Sequence, residues 1–96
     1  MKSRIACLLV LACCAAWPAA AQRTPLAPGP EKDTVEAVCA ICHSLSYIPM
    51  NSRFMTADVW KAEVTKMRVA FGAPIDDDAA NAILAYLIAN YGAPLK

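Results

Sequence analysis

Cys39-Ala40-Ile41-Cys42-His43 is the stretch on which the reading of this chain turns. Two thiols three positions apart have several uses. A structural zinc site needs four ligands. A thioredoxin-like redox pair belongs in a βαβ setting, and the sequence shows no strand pattern. A plain disulfide leaves His43 without a role. A c-type haem attachment uses all three groups: Cys39 and Cys42 add across the vinyl groups, and His43 binds iron from one face.

Working outward, the N-terminal stretch reads as a secretory signal over residues 1–21. Lys2 and Arg4 form a positive start, Ile5 to Ala16 is an apolar run, and Pro18 precedes the small-residue cleavage site Ala19-Ala20-Ala21. The run is shorter than the roughly 20 apolar residues of a membrane span. A lipoprotein anchored through Cys13 and an uncleaved anchor are the competing readings. Cleavage after Ala21 takes away Cys7, Cys13 and Cys14, so Cys39 and Cys42 are the two that stay. A zinc site would then have to borrow a carboxylate. Basic residues fall from nine to seven against eight acids, so no nucleic-acid footprint is expected, and no membrane span remains in the mature chain. The 75 residues left of 96 bury too little apolar surface for more than marginal stability. A covalently held haem would supply the missing core.

The mature chain reads as all-α: about three helices wrapped around one covalent haem. Residues 22–30, rich in proline, form an extended leader, and the haem domain covers 31–96. The first helix is expected from Glu31–Thr34, with Asp33 and Glu36 as a loose capping pair, to His43–Leu45. Val35, Val38, Cys39 and Cys42 then share one face. Ser46 to Met55 reads as irregular, since Pro49 biases Ile48 away from helix. Thr56 caps a second helix over about 57–71, stopped by Gly72 and Pro74, with Trp60, Val64, Met67 and Phe71 as its apolar stripe. Asp76 opens a third helix running to about Asn90, with Gly92 as its C-cap. Ala79, Ala80, Ile83, Leu84 and Leu87 form its apolar side. The acids Asp76 to Asp78 suit that helix start better than a metal site.

The chain has one histidine, so ligation by two histidines within one subunit is excluded. The second axial ligand is then a methionine (Met50, Met55 or Met67), a lysine, another weak donor or water, or the position is open. Met50 follows His43 by seven residues, about 25 Å of extended chain, which leaves little slack around a haem edge. Met67, in the inward stripe of the second helix, is the expected ligand. Pro49 is expected to offer its carbonyl to the His43 ring. Arg53, Trp60 and Lys66 are the expected propionate contacts, and Tyr47 is expected on a partner surface.

With these residues placed, the chain resembles small class I c-type cytochromes. Ile83-Leu84-Ala85-Tyr86-Leu87 looks like that family's closing-helix pattern, in which a Leu-like residue and a Tyr cross the first helix. The first helix departs from the family, with Glu31 and Val35 where a Gly and an aromatic residue are usual. A narrower resemblance runs through Cys39 to Phe54, Trp60-x-x-x-Val64-x-Lys66-Met67, and Ala70-Phe71-Gly72-Ala73-Pro74-Ile75. These stretches look like the cytochrome subunit of bacterial sulfite dehydrogenases, which pairs with a molybdenum-cofactor subunit that oxidises sulfite. The resemblance implies one haem c with His43 and Met67 as axial ligands, and a periplasmic location. It also implies single-electron transfer rather than catalysis on this chain, with a downstream cytochrome or oxidase as acceptor. A freely diffusing cytochrome serving other dehydrogenases or an oxidase is the alternative, and an open-site haem sensor or enzyme a third.

Overall fold

The described residues form four α-helices and one 3-10 turn, with no strand among them: α1 (Lys32–Cys39), α2 (Tyr47–Asn51), the 3-10 turn Ser52–Phe54, α3 (Ala57–Val69) and α4 (Asp77–Tyr91). The structure, a computed structural model, describes residues 25–95. The signal assigned to residues 1–21 and the start of the leader lie outside the described residues. None of the described helices is long and apolar enough to cross a membrane.

The caps of the long helices are local chemistry. Thr56 Oγ1 accepts from the Val59 N–H and Asp76 Oδ1 from the Ala79 N–H, each relieving one unpaired donor at a helix start. At the end of α3, Gly72 takes φ 67 and the Ala73 N–H reaches back to Met67 O at 2.9 Å, a glycine-dependent closure. Gly92 ends α4 for a different reason. Its backbone is extended, but a Cβ there would stand 2.5 Å from Ile88 O.

Three expectations need correction. The first helix ends at Cys39, not beyond His43. Its last N–H groups shift to tighter turns (Ile41 N to Val38 O, 3.3 Å), and Ser44 Oγ then takes the Ser46 N–H. Its N-cap is Glu31, at φ 68 with no side-chain capping bond, so Asp33 serves only as a first-turn charge. Residues 47–54 are helical rather than irregular. Pro49 stands third in α2, where a missing N–H leaves no bond unmade.

The core joins Val35 of α1, Ile48 of α2, Trp60 of α3 and Ile83, Tyr86 and Leu87 of α4, with Met55 and Leu26. α4 packs against both α1 and α3. Arg68 ties the α3–α4 loop, donating to Ile75 O and to Asp77 Oδ1 at 2.6 Å. The described part of the extended leader is tied to the domain. Leu26 is buried, and both polar groups of Ala27 are used: its N–H donates to Tyr91 Oη and its carbonyl accepts from Tyr86 Oη.

That strap makes stability pH-dependent. Burial, helped by the neighbouring Tyr91, pushes the Tyr86 phenol up to about 12. The unfolded phenol titrates near 10, so the fold prefers the protonated form. The contribution is whole below about pH 10 and is lost as pH rises towards 12. Two pKa units correspond to about 3 kcal/mol, and screening at the part-buried hydroxyl reduces this to about 1–2 kcal/mol. In Tyr86→Phe the alkaline step should vanish from denaturant titrations at pH 9, 10, 11 and 12. At neutral pH that variant should lose about 1 kcal/mol through the missing bond.

Candidate haem site

A cavity of about 300 Å³ opens between the end of α1, α2, α3 and α4. Its walls are mostly apolar, with Val38, Ile48, Trp60, Val64, Ile83 and Leu87 among them. Both thiols of the pentad, His43 and Met67 also line it. α1 carries Cys39 to the wall, half-buried, and burial pushes its thiol pKa up. Cys42 and His43 lie beyond the helix end in an exposed turn. Both cysteines are free thiols. The face expected to unite Val35, Val38 and both cysteines is therefore split. Val35 goes fully into the core, while the other three border the cavity.

Of the three candidate methionines, Met67 alone is on the lining. Met50 is 72% exposed and Met55 is 5% exposed within the core, its carbonyl accepting from the Ala93 N–H. Met67 is the one expected from its place in the apolar stripe, and α3 turns Trp60, Val64 and Met67 towards the same cavity as the pentad. Phe71, just past the helix end, lies at the cavity edge and is 66% exposed.

The His43 ring has a different partner from the one expected. Nδ1 stands 3.1 Å from Ser44 O. A carbonyl only accepts, so this contact takes the Nδ1–H tautomer and leaves Nε2 as the electron-pair donor. Pro49 instead gives its carbonyl to the Ser52 hydroxyl at 3.0 Å. Of the other expected polar contacts, Lys66 is on the lining, while Arg53 and the Trp60 indole N–H are engaged elsewhere. Arg53 is exposed, off the lining, and stacked over Phe54 at 4.5 Å. Trp60 lines the cavity with its ring, but its Nε1–H is committed to Tyr91 O at 2.9 Å. The polar groups on the lining besides His43 and the thiols are Tyr47, Glu63 and Lys66, the last two joined at 2.6 Å. Glu63 was missed, although its place one turn after Trp60 was a usable signal.

The donor set fits a haem better than a bare ion. Among the described residues no three His, Cys, Asp or Glu side chains gather into a group that could hold a metal, which includes Asp76 to Asp78. One imidazole and one thioether on an apolar cavity, beside two thiols, suit a macrocycle that brings its own four nitrogen ligands. Cys39 and Cys42 would hold it covalently, and His43 and Met67 would offer the axial donors.

No family model, no curated protein and no solved structure matches the chain.

Proposed function

We propose that this chain is an exported, periplasmic monohaem c-type cytochrome that relays single electrons and has no catalytic site of its own. In this reading it is the haem subunit that accepts electrons from a molybdenum-cofactor sulfite dehydrogenase and passes them to a downstream cytochrome or oxidase. One observation carries the haem reading: the pentad's two thiols and imidazole share one apolar cavity with Met67. When bound, the haem supplies an iron that alternates between ferric and ferrous.

The chain's own residues set the conditions for that exchange. His43 is oriented through Nδ1 by Ser44 O. Met67, a soft thioether, would favour the reduced metal and give a higher potential than a second imidazole would. Ile48, Trp60, Ile83 and Leu87 exclude water and keep the dielectric low. Lys66, paired with Glu63, is the one cation on the lining and suits a carboxylate group at the cavity mouth.

The partner's identity rests on the resemblance carried by Tyr47 to Phe54 and the Trp60-to-Met67 pattern. To test it, the native protein is purified and assayed for comigration with a molybdenum protein. The expected result is a comigrating fraction whose haem is reduced by sulfite. A haem protein that travels without molybdenum and stays oxidised in sulfite would assign the relay to another donor.

A further inference from the structure

We propose that the outward face of α2 and the 3-10 turn is the docking surface for the electron-donor protein, which meets it with an apolar patch bearing a carboxylate opposite Arg53. That the occupant is an electron donor rests on the relay function above; that this face docks an acidic partner does not.

Residues 47–54 form one continuous helical stretch with two apolar sides. Ile48 points into the core, and Met55, just past its end, is buried too. Tyr47, Met50 and Phe54, spaced three and four apart, share the other side. They are 41%, 72% and 63% exposed. Burial of one face is enough to hold such an element, so the second apolar face has no role within the fold. Its composition is that of an interface core: Tyr, Met, Phe and Arg are the residues enriched there.

Charge selects the occupant. From Ala37 to Ala57 the sequence contains one arginine and no acid. Arg53 lies over the Phe54 ring at 4.5 Å and has no carboxylate partner among the described residues. In a two-fold contact a second copy would bring the same acid-free helical stretch against Arg53 and leave both Arg53 side chains unpaired. A different protein that brings the carboxylate satisfies the cation. Position makes the occupant a redox partner: Tyr47 begins the stripe, lines the cavity, and holds its ring 5.8 Å from that of His43. A protein seated on the stripe is one side chain from the proposed iron ligand.

The test uses the haem-loaded, tagged full chain, expressed in its source organism growing on sulfite. Wild type is compared with Arg53→Glu, with Met50→Glu/Phe54→Glu, and with Val69→Glu, which changes an 81% exposed residue of α3 outside the stripe. Retained haem absorbance confirms that each variant folds. The copurified partner is assayed for molybdenum and its affinity measured by titration. The expected result is at least tenfold weaker binding for Arg53→Glu, none detectable for the double variant, and no change for Val69→Glu. A molybdenum partner bound equally by all four would overturn the docking surface and leave the relay function intact. A partner without molybdenum that reduces the haem and discriminates among the variants would uphold the docking surface and assign the relay to another donor. Wild type that binds no protein, or that self-associates through the stripe in sedimentation experiments, would also overturn the docking surface.

Discussion

Replacing both thiols of the pentad, Cys39→Ala with Cys42→Ala, is expected to give a chain that carries no haem through a denaturing gel. Free of haem, that chain is expected to show no cooperative thermal transition by circular dichroism. The argument is one of volume. The cavity measures about 300 Å³. At about 24 cal/mol per Å³, an enclosed apolar void of that size costs up to about 7 kcal/mol. A domain of this length has only about 4–11 kcal/mol of net stability in total. His43 and Cys42 at the mouth are exposed, so the void is not fully enclosed and the figure is a ceiling. Even half of it would remove much of what holds α1 and α3 against α4. A haem-free double variant that melts cooperatively within a few degrees of the loaded wild type would show that the fold does not depend on filling the cavity.

Met67→Ala should leave the haem covalently attached and abolish the methionine–iron charge-transfer band of the ferric protein, with a fall in reduction potential. The other methionines make the result specific. Met50→Ala, at a position 72% exposed and off the cavity, should change neither band nor stability. Met55→Ala removes a buried core side chain and should cost about 2–5 kcal/mol while keeping the band. Loss of the band in Met55→Ala and its survival in Met67→Ala would move the second ligand to Met55. A wild-type ferric spectrum of a high-spin, five-coordinate haem would remove the relay function, because the second axial position would then be open.

The parts of the fold legible in the sequence are those held by short-range bonds. Thr56 and Asp76 cap their helices through bonds to N–H groups three residues on. Gly72 closes α3 because its positive φ is a local demand. The misread parts depend on context. Pro49 breaks a helix interior but not a first turn, and which of these it occupies depends on where α2 begins. The leader reads only as extended chain, because the groups that hold it, Tyr86 and Tyr91, which take both polar groups of Ala27, lie 59 and 64 residues further on.

The sequence by itself determined the chemistry on offer: two adjacent-turn thiols, a single imidazole, three candidate thioethers, and helices too few and short to fill their own core. These are matters of composition and of spacing along the chain, which no packing can alter. Only the tertiary structure decided which of these groups meet. α3, anchored by Trp60 to the end of α4, brings Met67 to the cavity and leaves Met50 and Met55 elsewhere. The chain's turn after α1 gives the His43 ring to Ser44 O and leaves Pro49 to Ser52. A side chain's surroundings depend on elements tens of residues away closing in three dimensions, and helical periodicity fixes only the face on which that side chain starts.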